Sequence, residues 1–330
     1  MEFKGQKSNE GFNIMRKTYC LLLALALTVL SGCHFYKETP TTGNDTHLIF
    51  DDENRQVRIK KYPERIVSLT YGTDEILLDL VDIERIKGLS KYAGDTDLTF
   101  ITKEQKNKVG VTVDRNLEQI MKLDPDLVIA STSVSKDIID SLTRMGIPVY
   151  VSIVPTTLAE VETKVTGVAK AVNETGKGEA IIKHMREENE RIEKKLSVIQ
   201  PNEEKVVLSL SFRGIIGKKG TLFNEILRRA HVKNGADFAN LPAGSSMYIS
   251  SEIIPQINPD VFLMPVWKWK ESDDEEEFLK ELKNNPAYKG VSAVKNNKFI
   301  RLQEKYKYVM SHHVTEAIEE TARAVYPELW

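Results

Sequence analysis

Residues 116–129 read NLEQIMKLDPDLVI, and residues 250–263 read SSEIIPQINPDVFL. In both stretches a capping residue, an early glutamate, an apolar helical face, a Pro-Asp turn and a strand follow one another in the same order. Asn116 or Ser250 can cap a helix, while Pro255 removes a backbone donor early in the second helix, which we therefore expect to be short or irregular. The repeat predicts two lobes built on one plan, although generic helix–turn–strand chemistry would also produce so short a match.

Strand and helix patterns alternate on both sides of the repeat. Apolar runs predict strands at residues 65–69, 86–90, 126–130, 149–152, 206–211, 260–264 and 298–302. Helical patterns lie at residues 73–80, 116–123, 136–145 and 313–325, and a hairpin pattern lies at residues 48–59. Repeated strand–helix units with fully apolar strands are typical of an α/β fold with parallel, doubly wound sheets.

One long helix divides these units into two groups. Residues 157–200 are almost purely helical, and residues 177–200 predict a single helix with an apolar side that includes Ile181 and Ile192. Pro201 ends it. The predicted segments are a signal region (1–32), a tether (33–47), an N-terminal lobe (48–156), a helical region with the long helix (157–203) and a C-terminal lobe (204–330).

The first segment has the features of a secretory signal. Arg16 and Lys17 precede an apolar run at residues 20–30, which leads into the sequence Leu-Ser-Gly-Cys at residues 30–33. A basic region, a short apolar core and small residues before a cleavage point define such a signal, and this run is too short to span a bilayer stably. The last four residues resemble the bacterial lipobox, in which the cysteine is acylated and becomes the first residue of the mature chain.

We therefore predict lipidation at Cys33, with an ordinary signal or a buried helix as the alternative. Residues 1–14 fit no signal, so Met15 is the expected initiator. Cys20 leaves with the signal, and the mature chain is then expected to have neither a free thiol nor a disulfide. The protein is predicted to be exported and lipid-anchored to the cell membrane, facing the periplasm or the cell exterior.

The composition is that of an ordinary globular protein. The 330 residues are 41% hydrophobic and 28% charged, and the formal net charge is −2. The sequence has no basic stripe or tail, so we do not expect nucleic-acid binding. We expect a monomer.

Taken together, the motifs resemble those of a known family: the substrate-binding lipoproteins of ABC importers for iron-siderophore, haem or cobalamin, which are periplasmic binding proteins with a helical backbone. The resemblance covers nearly all of the mature chain. Its motifs are the lipobox, residues 62–69, residues 74–77, residues 116–130 with their counterpart 250–264, and the closing residues 311–313 and 326–328.

Two departures from the family lie near the expected cleft. Thr70-Tyr71-Gly72 stands where a Pro-Ser turn is usual, and residues 233–237 replace a Gly-Gly-Glu-Asn-like stretch. These changes put the identity of the ligand in doubt more than the fold.

The resemblance implies two α/β lobes joined by one rigid helix, a ligand cleft between the lobes and modest motion. It also implies docking onto a permease, which works with an ATPase, through one surface carboxylate on each lobe. By motif position these are Glu118 and Glu252. Two well-spaced anions can meet arginine sockets and fix register. The alternative is that both glutamates only stabilise their helices.

Ligand contacts are expected beyond the carboxyl ends of the strands. The candidates are Tyr71, Tyr92, Arg213, Tyr248, Trp267, Lys268, Trp269, Tyr306 and His312. Aromatic rings beside Arg and Lys suit a large, planar or anionic metal chelate. The run 267–269 is the first choice and Arg213 the second, although any single aromatic residue could instead belong to the core or the surface.

We predict a ferric siderophore as the ligand, with haem or cobalamin as the alternative. His312 or His313 could reach haem iron or a chelate, with Met310 opposite, or the pair could open a helix, one ring capping it and the other packing. The other histidines are too scattered for a zinc cluster, so we predict no resident metal or cofactor.

A distant alternative is an exported α/β hydrolase. The sequence has no Gly-x-Ser-x-Gly elbow and no His-Glu-x-x-His pair, so we predict that the chain is not an enzyme. A further alternative is a surface haemophore or adhesin that never meets a permease.

Overall fold

Two largely parallel β-sheets and one long helix organise the chain. The structure, a computed structural model, describes residues 45–239, 250–268 and 270–330. These residues belong to one compact unit, Asp45–Trp330. The predicted α/β class with doubly wound lobes is confirmed.

The N-terminal lobe begins with an antiparallel hairpin and continues as strand–helix units. Its strands are β1 (Thr46–Phe50) and β2 (Gln56–Lys60) of the hairpin, then β3 (Ile66–Ser68), β4 (Ile86–Ser90), β5 (Thr112–Val113), β6 (Leu127–Ser131) and β7 (Val149–Ser152). Strands β3 to β7 form a parallel sheet in the order β5-β4-β3-β6-β7. Its helices are α1 (Tyr71–Leu80), α2 (Lys103–Val109), α3 (Leu117–Met121), α4 (Lys136–Arg144) and α5 (Leu158–Ala171).

The C-terminal lobe repeats this plan after the long helix α6 (Thr175–Leu196). Its strands are β8 (Val206–Ser211), β9 (Gly214–Ile215), β10 (Lys233–Asn234), β11 (Val261–Met264) and β12 (Phe299–Arg301). They lie in the order β10-β8-β11-β12, with β9 antiparallel to β8. Its helices are α7 (Leu222–Arg229), α8 (Ile254–Ile257), α9 (Glu275–Asn284), α10 (Ser292–Lys295), α11 (Glu304–Tyr308) and α12 (Val314–Val325).

Both lobes use the aspartate of the repeated Pro-Asp turn in the same way. The backbone N–H of Asp126 donates to the Arg65 carbonyl at 3.0 Å, and that of Asp260 donates to the Val206 carbonyl at 2.8 Å. The Asp126 carboxylate accepts from the N–H of Arg65 at 2.8 Å, and the Asp260 carboxylate accepts from the N–H of Val206 at 2.9 Å. Asp126 therefore sets the register of β6 against β3, and Asp260 sets that of β11 against β8. This equivalence supports one plan for both lobes.

The helices of the repeat differ as the sequence predicts. The Asn116 side chain accepts from the N–H of Gln119 at 3.1 Å and caps α3. Ser250 caps a 3₁₀ turn (Ser251–Ile253) that continues as the one-turn helix α8, with Pro255 at its start. The expected irregularity of the second helix is confirmed.

Helix α6 contributes to the cores of both lobes. Ile182 packs against the N-terminal core, whereas Met185, Ile192 and Leu196 are buried in the C-terminal core, and Ile181 touches both. The helix ends four residues before the predicted end at residue 200. Pro201 has no N–H to donate to the carbonyl of residue 197, and it disfavours helical backbone at Gln200, so the helix does not run up to the proline.

Polar contacts fix both ends of α6 against the lobes. Near its start, Lys177 Nζ donates to the Leu80 carbonyl at the end of α1, at 2.8 Å. Near its end, Arg191 pairs with Glu319 of α12 at 2.5 Å. The helix is therefore held to a helix of each lobe as well as to each core.

The lobes also touch directly at the start of α1. The Tyr71 hydroxyl donates to the Tyr308 carbonyl at 2.8 Å. A Cβ at Gly72 would lie 2.7 Å from both the Cβ and the carbonyl oxygen of Met310. Glycine at residue 72, in the turn that departs from the family, therefore permits this close approach.

We expect Gly72→Ala to destabilise the protein by about 1–3 kcal/mol, because the new methyl group meets backbone that cannot move aside cheaply. Gly176→Ala is the matched control, since Gly176 is an exposed helical glycine and a Cβ added there would meet no atom within 4 Å. Thermal unfolding followed by circular dichroism should give a midpoint several degrees lower for Gly72→Ala and unchanged or higher for Gly176→Ala. Equal midpoints would contradict the packing described for the lobes.

Candidate functional site

A cavity of about 240 Å³ lies at the carboxyl ends of β3, β4 and β5. Its wall is formed by Leu69, Thr70, Tyr71, Ser90, Lys91, Tyr92, Val113, Asp114 and Arg115. These strands are parallel neighbours, so the residues that follow them meet at one edge of the sheet, where open α/β sheets bind ligands. The structure thus brings two predicted candidates, Tyr71 and Tyr92, to the same cavity.

The cavity wall contains two cationic side chains. Lys91 Nζ lies 3.0 Å from Asp114 Oδ1 and 5.0 Å from the centroid of the Tyr92 ring. The hydrogen bond to Asp114 raises the pKa of Lys91, so its ammonium is charged at neutral pH. An exposed ion pair contributes at most about 1 kcal/mol, so an anionic oxygen could replace Asp114 at little cost.

Arg115 is the second cation, and both its side chain and its backbone conformation are constrained. Its guanidinium donates to the Ser133 carbonyl at 3.1 Å. Its φ of 53° lies in the left-handed region, which costs an L-residue about 1–2 kcal/mol. Strain of this kind concentrates at functional loops.

Trp267 of the C-terminal lobe contacts residues beside this cavity. It follows β11, and its indole Nε1–H donates to Asp95 Oδ2 at 2.8 Å. Its ring meets the Tyr92 ring edge-on, with 6.1 Å between centroids. The end of β11 therefore faces the end of β4, and an aromatic pair spans the two lobes.

Tyr71 reaches across the same boundary as a neutral group. Burial raises its pKa well above the ordinary value, with the charge of Glu75 adding to the effect. The hydroxyl therefore stays protonated and donates to the Tyr308 carbonyl.

Arg213 lies at a second hollow of about 400 Å³, at the carboxyl end of β8. Phe212 and Gly214 line the same hollow, and the Phe212 ring packs edge-on against Phe278 of α9 with centroids 5.4 Å apart. The C-terminal lobe thus also presents an aromatic ring and a cation at a strand end.

The remaining candidates do not gather at these cavities. Lys268 is exposed, and Tyr306 packs edge-on against Phe100 with 5.6 Å between centroids. His312 Nε2 lies 2.8 Å from Asp79 Oδ2, beside another hollow. The predicted residues Cys33, Tyr248 and Trp269 lie outside the described residues.

The sequence analysis missed Lys91, Arg115 and Asp95. Lys91 lies between the end of β4 and the candidate Tyr92. It could have been found by considering every residue that directly follows a strand. Arg115 follows β5, a two-residue strand too short to recognise from its pattern. Asp95 has no sequence signal, since its role comes from a partner in the other lobe.

The two predicted docking glutamates occupy equivalent elements. Glu118 lies in the first turn of α3, and Glu252 lies in the 3₁₀ turn that precedes α8. Both are exposed; the Glu118 side chain is 77% accessible and pairs at 2.8 Å with the exposed Lys122, which directly follows α3. Both glutamates are therefore accessible to a partner protein.

Residues 66–306 match the family described as periplasmic binding protein. This span is most of the chain, and the chain belongs to this family. The resemblance inferred from the sequence is confirmed.

Two relatives point to the same class of protein, and a solved structure shares the fold. The ABC transporter substrate-binding lipoprotein YvrC of Bacillus subtilis, which is named as uncharacterized, is 27% identical over 93% of this chain and 96% of its own length. A probable siderophore-binding lipoprotein of the same organism, YfiY, is 25% identical over 86% of this chain and 89% of its own length. The solved structure of the periplasmic heme-binding protein RhuT from a Roseiflexus species, 22% identical, superposes with a TM-score of 0.66 over 81% of this chain and 99% of that chain.

No helix within the described residues has the length and apolar character needed to cross a membrane.

Asp74, in the first turn of α1, holds Ser90 of the cavity wall and provides a pH test. Its carboxylate accepts from the N–H and hydroxyl of Ser90, at 2.9 and 2.6 Å. Burial raises the pKa of Asp74 to about 7. The folded state therefore favours the protonated acid, and the stability that this group contributes is present below pH 4 and is lost as the pH rises to about 7.

We expect Asp74→Asn to remove this loss, because the amide stays neutral at every pH. We would measure the free energy of unfolding in urea between pH 4.5 and 8. The value for the variant should rise relative to that of the wild type by up to about 1.4 kcal/mol per pH unit as the pH rises to 7. The control is Asp137→Asn at an exposed position of α4. A difference between Asp74→Asn and wild type that does not change with pH would contradict the burial of an ionisable Asp74.

Proposed function

We propose that this protein is an exported, lipid-anchored receptor that binds a ferric siderophore between its lobes and delivers it to an ABC importer. The observation that carries the proposal is the cavity at the ends of β3, β4 and β5, where Tyr92 meets Trp267 of the other lobe beside Lys91 and Arg115.

The chemistry of this cavity suits an iron chelate. Siderophores present anionic oxygens around the metal and a large, partly apolar body. Lys91 and Arg115 can pair with the oxygens, and the rings of Tyr92 and Trp267 can cover the apolar surface. Because these groups come from both lobes, a ligand that touches all of them would favour the closed arrangement of the lobes.

The relatives support the same proposal. YvrC is named as a substrate-binding lipoprotein of an ABC transporter, and YfiY as a probable siderophore-binding lipoprotein. The lipobox at residues 30–33 agrees with a lipid anchor, so we propose that acylated Cys33 attaches the mature chain to the membrane. The permease and its ATPase would then be the partners.

Haem is the second candidate, because a tyrosine hydroxyl can ligate haem iron and two tyrosines line the cavity. The hydroxyl of Tyr71 is engaged by the Tyr308 carbonyl, which favours the siderophore. His312 faces Asp79 rather than this cavity, so it is not proposed as an axial ligand.

A fluorescence titration tests the ligand. Ferrichrome-type and catecholate siderophores, haemin and cobalamin are added in turn to the protein, and we expect a ferric siderophore to quench tryptophan emission with saturation. Trp267→Phe should lower the affinity about tenfold, since it keeps a ring but loses the hydrogen bond to Asp95. Trp330→Phe is the matched control, because Trp330 packs against Lys195 and Arg323 at the C-terminus. Saturable binding of haemin or cobalamin alone, or equal affinities for the two variants, would contradict the proposal.

A charge reversal tests the docking of the receptor. We expect Glu118→Lys with Glu252→Lys to abolish uptake in cells while ligand affinity stays unchanged, because an arginine socket repels lysine. Glu104→Lys with Glu276→Lys, two exposed glutamates of α2 and α9, is the matched control and should transport normally. Normal uptake by the first pair, or a loss of its ligand affinity, would show that these glutamates do not dock the protein.

A further inference from the structure

A second cluster, of side chains that can bind a metal ion, lies where the two lobes meet (the seam), apart from the cavity described above. Its members are Asp79 of α1, in the N-terminal lobe, and His312 and His313, which directly precede α12 in the C-terminal lobe. One carboxylate oxygen and one nitrogen from each ring lie within 4.8 Å of one another. These three residues also line a hollow of about 450 Å³ beside α6.

The histidine rings are held in place from several sides. His313 stacks on Phe100, with 4.3 Å between centroids and 12° between planes. Its Nδ1 lies 2.5 Å from Glu316 Oε1, which leaves Nε2 as the free nitrogen. His313 occupies the N-cap position of α12 without any side-chain capping bond, so the expectation that a ring of this pair caps the helix is wrong.

One ring nitrogen of His312 has no hydrogen-bond partner among the described residues. The residue is only 9% exposed, and this nitrogen is the buried Nδ1. Its Nε2 faces Asp79 Oδ2 at 2.8 Å. An unpartnered nitrogen on a buried ring costs about 1–3 kcal/mol, but the nitrogen of His312 that faces the cluster is Nε2 and not Nδ1.

The charge around the two rings is negative. Asp79 and Glu316 contact the rings directly, and the buried Glu75 accepts from the Ser311 hydroxyl at 2.5 Å in the same segment. Burial raises the pKa of Glu75, so the charge beside the rings comes mainly from Asp79 and Glu316, and a divalent cation would neutralise it.

We propose that Asp79, His312 and His313 bind a divalent transition-metal ion of the Zn²⁺ type, which joins the two lobes at this seam. Two imidazole nitrogens and one carboxylate oxygen are a usual protein donor set for such an ion, with metal–ligand distances of about 2.0–2.2 Å. The ion takes the place of the proton shared by His312 and Asp79, and water from the hollow completes a four-coordinate shell. Glu316 orients His313 through Nδ1, which is the usual arrangement of a carboxylate behind a metal-bound imidazole.

This site is distinct from the proposed ligand cavity and does not depend on it. The cavity is lined by residues at the ends of β3, β4 and β5, none of which belongs to the cluster. Because one metal ligand comes from the N-terminal lobe and two come from the C-terminal lobe, the ion would restrain how far the lobes separate. The proposed ion is therefore separate from the iron chelate that we propose as the cargo.

The test is metal binding by the whole protein after treatment with a chelator and dialysis. Titration with ZnCl₂ should give one saturable site per chain, and Co²⁺ should give the visible absorption of a tetrahedral site. Zn²⁺ should also raise the midpoint of thermal unfolding by several degrees, since it binds the folded state. Mg²⁺ should do neither, because its ligands are oxygens in octahedral geometry.

Variants identify the residues. His312→Gln with His313→Gln should lose stoichiometric Zn²⁺ binding, and so should Asp79→Asn, which keeps a hydrogen-bonding side chain beside His312 and so preserves the fold. Glu316→Gln should weaken binding by about 10–100-fold. His47→Gln, in β1, is the matched control and should bind as the wild type does. No saturable Zn²⁺ binding by the wild type, or binding that survives in the double histidine variant, would overturn the proposal.

Discussion

The structure depends on one helix that belongs to two cores. Helix α6 places Ile182 against the N-terminal core and Met185, Ile192 and Leu196 in the C-terminal core. An α-helix of 22 residues spans about 33 Å and bends only gently without a proline or an inserted side chain. The lobes are therefore joined by a stiff element, and the cleft between them is set by packing rather than by a flexible linker.

Direct contacts between the lobes reduce their freedom further. The Tyr71 hydroxyl and the pair Tyr92–Trp267 bridge the lobes at the strand ends. Asp79 meets His312 beside α6. The ligand cavity and the proposed metal site thus lie in the same seam, so an ion at one could influence how the lobes close on a ligand at the other.

The fold could be predicted from the sequence because its signals are local. Apolar runs predict β4, β7 and β8 at their observed bounds, and the repeated Pro-Asp turns indicate two similar lobes. The predicted end of α6 lies four residues too late, because helix-forming residues continue up to Pro201. Composition near a terminus indicates where a helix could continue, whereas the hydrogen bond lost at Pro201 and the restricted backbone of Gln200 keep this helix from reaching the proline.

The site could be predicted only where a residue follows a recognisable strand. Tyr71, Tyr92 and Trp267 meet this condition, and the structure brings them together. Asp95 and Asp79 acquire their roles from partners more than 170 residues away in the chain, which no local pattern reveals.

Differential scanning calorimetry tests the shared helix most directly: if α6 belongs to both cores, the protein should unfold in one transition with equal calorimetric and van't Hoff enthalpies. Two resolved transitions, one for each lobe, would contradict this account.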